Sequence, residues 1–205
     1  ATYVLQNLLD SHDTDRMVSK VFNPDRPFDA QNREQQVDNY NPDKPDAESY
    51  RKARLLALLQ MTYVGAPMIY YGDEVGLWGS DDPNNRKPML WEDLQPYDEP
   101  GMEVMPDQLD FYRRAIAIRN TYPALRRGSI ETVLVDDEQD TWAFVREFDG
   151  QRVLVTINAS NTDAVITLPE SLGTGWTRAL VEPGEAPMDW PSIHVPAVGG
   201  VVWVK

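Results

Sequence analysis

The chain has 205 residues, a formal net charge of −14 and no cysteine. The negative charge argues against nucleic acids and anionic membrane surfaces as partners, because both would repel it. The lack of cysteine excludes disulfide scaffolds, thiolate nucleophiles and cysteine zinc sites, and no apolar run approaches the roughly 20 residues of a membrane span.

The first predicted element is a short apolar strand that ends abruptly in polar side chains. Its apolar residues are Tyr3, Val4, Leu5, Leu8 and Leu9. The ionisable run 10–16 follows, and parallel α/β barrels build active sites where a strand's C-terminal end leads into such residues. The polar segment 21–46 comes next, and its prolines predict an irregular loop with one helical turn near 30–37.

The next elements continue the pattern of a parallel α/β fold. A helix is predicted over 47–64, a short apolar strand over 68–71 and a second helix over 106–122. Polar residues follow this strand as well, in a loop that includes 81–88. Residues 1–124 therefore have the order strand, loop, helix, strand, loop, helix that is typical of parallel α/β proteins.

The pattern changes after residue 124. Residues 125–205 contain short alternating apolar runs separated by turn signals, which predict an antiparallel sandwich or barrel. The clearest hairpin signal is Asp149-Gly150, between runs over 141–148 and 152–158. We therefore expect two domains with a boundary near residue 125.

The polar loop after the first strand contains an adjacent imidazole and carboxylate. The carboxylate of Asp13 could stabilise developing positive charge or act as a base, and His12 could donate to a hydroxyl. An alternative of equal weight is that Ser11, Asp13 or Thr14 only caps a turn and His12 is a surface residue. His12, Asp13 and Asp15 match no strong metal-ligand spacing.

The polar residues after the second strand also have two interpretations. Asp73 and Glu74 could contribute to a site, or could accept structural hydrogen bonds from the backbone or an arginine. Asp82 and Arg86 lie four residues apart, so they could clamp the vicinal hydroxyls of a sugar. They could equally form a local salt bridge that holds the loop.

Three motifs together resemble the α-amylase superfamily of glycoside hydrolases (glycoside hydrolase family 13). Residues 8–16 (LLDSHDTDR) resemble the region after its seventh barrel strand, and 65–76 (GAPMIYYGDEVG) resemble its eighth strand. Residues 81–91 (DDPNNRKPMLW) are most similar to the neopullulanase and cyclomaltodextrinase branch. The resemblance implies that 1–124 form the last two strand–helix units of a TIM barrel and that 125–205 form an antiparallel β-sandwich.

The resemblance also implies roles for individual residues. Asp13 would be the third catalytic carboxylate, which binds ring hydroxyls and stabilises an oxocarbenium-like transition state. His12 would hydrogen-bond the same sugar, and Asp82 and Arg86 would bind the neighbouring glucose. Arg16 would be supportive. No cofactor or metal is expected, and calcium is not indicated.

Members of this family act by a retaining mechanism, which needs a nucleophile and a general acid about 5 Å apart. In the family these follow the fourth and fifth strands, so we expect both to be absent and the chain alone to be inactive. The expected partners are an α-glucan or maltooligosaccharide, the missing N-terminal barrel portion, or a second copy of the chain. The alternatives are a non-catalytic glucan-binding or dimerisation module and part of a glucan transferase of the same superfamily. Localisation, cytoplasmic or exported, is left open.

Overall fold

The structure is a computed structural model that describes residues 5–27, 32–33 and 38–205. The predicted strand residues Tyr3 and Val4 lie outside the described residues, as does most of the predicted helical turn near 30–37. In the part of the chain that the structure describes, none of the helices combines the length and apolar character needed to cross a membrane.

The chain divides into two compact units, which are described separately. The site unit contains residues 7–54 and 67–112. The β unit contains residues 55–66 and 113–205, together with the described part of 1–6. The boundary near residue 125 stays a prediction.

The α-helices agree closely with the periodicity of the sequence. The described residues form α1 (Met17–Phe22), α2 (Ala47–Thr62), α3 (Pro106–Thr121) and α4 (Pro123–Arg127). The helices predicted over 47–64 and 106–122 correspond to α2 and α3, whereas α1 and α4 were not predicted. Pro123 ends α3 as expected and also begins α4, because the fixed φ of proline suits the first turn of a helix.

The first two strands are short. Strands β1 (Gln6–Leu8) and β2 (Ala66–Met68) form a two-stranded sheet. The strand predicted over 68–71 therefore lies earlier in the chain than expected. The reason is that the chain turns after it, where the carbonyl of Tyr70 accepts a hydrogen bond from the amide of Asp73 at 3.2 Å.

The β unit contains two antiparallel sheets. A five-stranded sheet has the order β3-β4-β5-β10-β7 and a three-stranded sheet has the order β6-β9-β8. Their strands are β3 (Ser129–Asp136), β4 (Thr141–Phe148), β5 (Gln151–Asn158), β6 (Ala164–Thr167), β7 (Thr177–Glu182), β8 (Met188–Asp189), β9 (Ser192–Val195) and β10 (Gly199–Val204). The predicted hairpin is confirmed: Phe148 pairs with Gln151, and the positive φ values of Asp149 (51°) and Gly150 (78°) suit a tight turn.

Both sheets contribute to one apolar core, which includes Ala143 and Leu154 of the larger sheet and Ile193 of the smaller one. The second half of α2 also packs closely on β10. A Cβ added to Gly200 would lie 2.6 Å from Leu58 Cδ2 and 3.0 Å from the carbonyl oxygen of Thr156. Only glycine therefore permits this approach.

The site unit has its own core, formed by Val18, Tyr50, Ala53, Val75, Leu77, Trp78, Leu90, Met102 and Val104. Much of this core comes from the segment between β2 and α3, which contains short 3₁₀ turns at Asp73–Val75, Asn84–Arg86 and Glu92–Leu94. The hydroxyl of Tyr50 donates to the carbonyl of Gly76 at 2.7 Å, which ties α2 to the turn after β2. The loops that carry the predicted site residues are thus held by buried contacts.

Two buried arginines of the β unit bind the carbonyl groups at the end of α2. Arg119 donates to Met61 at 2.7 Å, to Tyr63 at 3.3 Å and to Gly65. Arg146 donates to Thr62 at 2.6 Å. Carbonyls at a helix C-terminus have no partner within the helix, so these guanidinium groups supply the bonds that water would otherwise provide.

We expect Arg119→Met to lower the free energy of unfolding by about 2–4 kcal/mol, because it leaves several buried carbonyls without a donor. The matched control is Arg113→Met, at an exposed position of the same helix, which should change stability by less than about 0.5 kcal/mol. Urea denaturation followed by circular dichroism measures both. Equal stabilities for the two variants would contradict this role of Arg119.

Candidate functional site

The residues after β1 form a tight turn that holds His12 and Asp13 away from the core. The amide of Ser11 donates to Thr14 Oγ1 at 3.0 Å, and the amide of Asp13 donates to Ser11 Oγ at 3.2 Å. The side chains of His12 and Asp13 are 65% and 69% exposed, and His12 Nε2 lies 3.2 Å from Asp13 Oδ2. Ser11 and Thr14 therefore stabilise the turn while His12 and Asp13 face solvent, and the catalytic role of Asp13 stays a prediction.

The loop after β2 places its own charged pair beside this turn. Arg86 Nε lies 3.2 Å from Asp82 Oδ1. The same guanidinium donates from Nε and Nη2 to the carbonyl of His12 at 3.1 and 3.0 Å, and its Nη2 lies 3.6 Å from Asp13 Oδ1. The structure thus brings together His12, Asp13, Asp82 and Arg86, which are separated by about seventy residues of sequence.

The ion pairs within this charged cluster contribute little to stability. The side chains of Asp82 and Arg86 are 33% and 44% exposed, and ion pairs of this kind contribute at most about 1 kcal/mol. In the described residues, the Asp13 carboxylate accepts no backbone hydrogen bond. Its oxygens meet only the exposed side chains of His12 and Arg86 among the described residues.

Arg16, predicted to be supportive, is fully buried behind the turn. Its Nη1 donates to Asp73 Oδ1 at 2.8 Å and its Nε donates to the carbonyl of Asn85 at 2.9 Å. The guanidinium carbon lies 4.5 Å from the ring centroid of Tyr70 and 5.0 Å from that of Tyr71. Arg16 therefore connects the exits of both strands without facing solvent.

Two carboxyl groups lie beside Arg16: Asp10 is buried, and the side chain of Asp73 is 14% exposed. Burial raises the pKa of Asp10, and burial followed by the charge of Asp10 raises the pKa of Asp73 well above its usual value. Asp10 Oδ2 also accepts a hydrogen bond from the amide of Met17 at 2.6 Å, so it holds the start of α1.

Glu74 has a local role. Its Oε2 accepts a hydrogen bond from the amide of Gly72 at 2.8 Å. Of the two interpretations of Asp73 and Glu74, the structure therefore shows the one in which both accept structural hydrogen bonds from an arginine and the backbone.

The sequence interpretation missed two residues of this region. Asn85 is fully buried and donates to backbone carbonyls of the His12–Asp13 turn. Arg33 Nη2 lies 3.6 Å from Asp82 Oδ2, so Asp82 faces two guanidinium groups. The run Asn84-Asn85-Arg86 gave a signal for Asn85, because asparagine commonly bonds to neighbouring backbone. Nothing in the sequence pattern marked Arg33.

Asp15 is a further buried carboxylate of the site unit. Its Oδ2 accepts hydrogen bonds from Asn32 Nδ2 at 3.0 Å and from the hydroxyl of Tyr40 at 3.5 Å. Burial raises the pKa of Asp15 to about 6, and the nearby charge of Asp81 acts in the same direction while Lys20 opposes it. Within residues 5–27, 32–33 and 38–205, no group of three or more His, Asp or Glu side chains is arranged to hold a metal ion.

The chain is similar to known enzymes over most of its length. It is 33% identical to neopullulanase 2 of Thermoactinomyces vulgaris over 86% of the chain and 25% of that protein. It superposes on a crystal structure of a Nostoc punctiforme debranching enzyme with a TM-score of 0.68 and 26% identity, covering 98% of this chain and 34% of the other. A cyclomaltodextrinase structure gives a TM-score of 0.68 with 29% identity, covering 98% of this chain and 30% of the other. No family model matches.

These similarities, together with the loops that follow β1 and β2, show that the chain belongs to the α-amylase superfamily of glycoside hydrolases, glycoside hydrolase family 13. Its relatives there include proteins named neopullulanase, cyclomaltodextrinase and intracellular maltogenic amylase. The chain spans about a quarter of the length of these curated relatives, between 21% and 25%.

Asp15→Asn should change how stability depends on pH. A carboxyl whose pKa is raised on folding stabilises the folded state at low pH, and this contribution is lost as the pH rises through about 6. The variant lacks this titration. Its free energy of unfolding should therefore rise relative to that of the wild type by ~1 kcal/mol from about pH 5 to pH 7.5, after allowance for solvent screening. Urea unfolding at both pH values measures the difference. Asp43→Asn, at an exposed position, is the control, and a pH slope equal to that of Asp15→Asn would contradict the prediction.

Proposed function

We propose that this chain is the C-terminal part of an α-glucan-acting retaining glycoside hydrolase of the neopullulanase and cyclomaltodextrinase type. The observation that supports this most is the convergence of Asp13, His12, Asp82 and Arg86 at the exits of β1 and β2. Two carboxylates, an imidazole and a guanidinium, joined by contacts of 3.2 to 3.6 Å, suit the dense hydroxyl groups of a sugar.

The proposed roles are those that the family resemblance implies, and the charge and exposure of each group agree with them. Cleavage of a glycosidic bond passes through an oxocarbenium-like transition state with positive charge on the ring. The exposed carboxylate of Asp13 would stabilise that charge and accept hydrogen bonds from ring hydroxyls. His12 would donate a hydrogen bond to the same sugar. Asp82 would accept and Arg86 would donate hydrogen bonds to the neighbouring glucose.

We further propose that 1–124 are the last two strand–helix units of a TIM barrel and that 125–205 are a separate antiparallel β-sandwich domain. The order of the elements and the similarity to larger enzymes support this. Leu5 and Leu8, on and beside β1, are 58% and 49% exposed, and such apolar side chains on a short sheet would be covered by neighbouring strands. The buried Nη2 of Arg16 also has no hydrogen-bond partner among the described residues.

In this proposal the nucleophile and the general acid belong to the preceding part of the barrel. A second candidate function is a non-catalytic glucan-binding or dimerisation module, since an exposed sugar-binding cluster needs no nucleophile. A glucan transferase would use the same residues as the hydrolase. The sequence that precedes this segment in its parent protein distinguishes the module from the enzyme, because only the enzyme needs two further catalytic carboxylates.

The 205-residue chain alone should not hydrolyse maltotetraose, because Asp13 stabilises charge but neither attacks the anomeric carbon nor protonates the leaving group. Release of glucose or maltose from maltotetraose, followed chromatographically over a day, tests this. Hydrolysis that disappears in Asp13→Ala would overturn the proposed division of roles.

The same chain should bind maltotetraose weakly, in the millimolar range expected for part of a site. Amide shift changes in two-dimensional NMR spectra should concentrate at residues 11–14 and 82–87. Asp13→Asn and Arg86→Met should each weaken binding by about five- to tenfold, because each removes a charged hydrogen-bonding group. Asp43→Asn should leave the affinity unchanged. Shift changes confined to other residues would contradict the proposed sugar site.

A further inference from the structure

The turn that carries His12 and Asp13 is held at both ends by one buried side chain. Asn85 Nδ2 donates to the carbonyl of Ser11 at 3.2 Å and to the carbonyl of Thr14 at 2.8 Å. These two carbonyls flank His12 and Asp13 in sequence. Because one carboxamide uses both of its N–H groups, the separation of the two ends of the turn is set by the geometry of a single planar group.

Asn85 is itself anchored from the opposite side. Its backbone carbonyl accepts a hydrogen bond from Arg16 Nε at 2.9 Å, and Arg16 is paired with Asp73 at 2.8 Å. Both Asn85 and Arg16 are completely buried. The short 3₁₀ turn Asn84–Arg86 therefore cannot shift without breaking hydrogen bonds that solvent does not reach.

Arg86 also contacts this turn, but its side chain is exposed whereas that of Asn85 is buried. Arg86 also donates to the carbonyl of His12, but its side chain is 44% exposed and is shared with Asp13 and Asp82. A sugar that binds between these groups would compete for the guanidinium. The bonds from Asn85 are internal, so they persist while Arg86 exchanges partners.

We propose that Asn85 is a positioning residue: its carboxamide fixes the Ser11–Thr14 turn and so presents the Asp13 carboxylate to the sugar. This inference rests on the proposed function, because the sugar is the ligand toward which Asp13 is presented. It adds that the loop that binds the neighbouring glucose through Asp82 and Arg86 also sets the orientation of Asp13. The two strand-end loops then act as one binding surface.

The test compares Asn85→Asp with Asn84→Asp in the full 205-residue chain. Both variants make the same isosteric change and add the same charge, but only the first removes the two N–H donors of the turn; the Asn84 side chain makes no hydrogen bond within the described residues. We expect backbone NMR order parameters of His12, Asp13 and Thr14 to fall from about 0.85 to below about 0.6 in Asn85→Asp alone. Affinity for maltotetraose, measured at a temperature where each variant is fully folded, should fall about tenfold.

The outcomes separate this inference from the proposed function. Unchanged order parameters in Asn85→Asp overturn the positioning role, and so does a mobile turn that binds maltotetraose as tightly as before. If the wild type does not bind maltotetraose, the proposed function fails, and the order parameters alone decide whether Asn85 fixes the turn. If Asn85→Asp does not fold, Asn85→Ser takes its place. This variant keeps one donor, so we expect its affinity for maltotetraose to fall about threefold. Unchanged order parameters of the turn together with unchanged affinity in that variant also overturn the proposal.

Discussion

The fully buried guanidinium of Arg16 organises the site unit, because it must satisfy its charge and its N–H groups away from water. Its Nη1 and Nε donate to Asp73 and to the backbone of Asn85, and its face lies against Tyr70 and Tyr71, whereas its Nη2 has no partner among the described residues. These partners come from two separate stretches of the chain, residues 70–73 and Asn85. Removing a partner from a buried ion pair costs about 3–5 kcal/mol, so the partners are held in place and the strand exits are held with them.

The electrostatics of the region divide into a buried and an exposed layer. In the buried layer, the carboxyls of Asp10 and Asp73 lie beside Arg16, and burial raises the pKa of both. In the exposed layer, Asp13 and Asp82 remain accessible and meet Arg86 only through long or solvent-screened contacts. Because the exposed charges and the buried ones form separate layers, the exposed groups can exchange partners with a ligand while the buried layer stays intact.

In the β unit, buried arginines also donate to backbone carbonyls, and there they stabilise the end of a helix. Arg119 and Arg146 are buried and donate to the carbonyls at the end of α2. The close approach of Leu58 to Gly200 packs the same helix on the sheet. A helix end that lies inside the protein thus receives its hydrogen bonds from arginine side chains instead of water.

The amino-acid sequence alone was sufficient to predict α2, α3, the hairpin at Asp149-Gly150, the antiparallel strands and the family, because these depend on local periodicity, turn residues and motif spacing. It also identified Asp13 and Arg86 as candidates, since charged residues follow two strands. It misplaced the second strand by a few residues and left open whether each carboxylate was structural or exposed. Only the tertiary structure decided that Asp73 pairs with the buried Arg16, that Asp13 is accessible and that Asn85 spans the turn. The physical reason is that the Asn85–Ser11 hydrogen bond joins residues 74 positions apart, and such contacts depend on how whole segments pack rather than on local sequence.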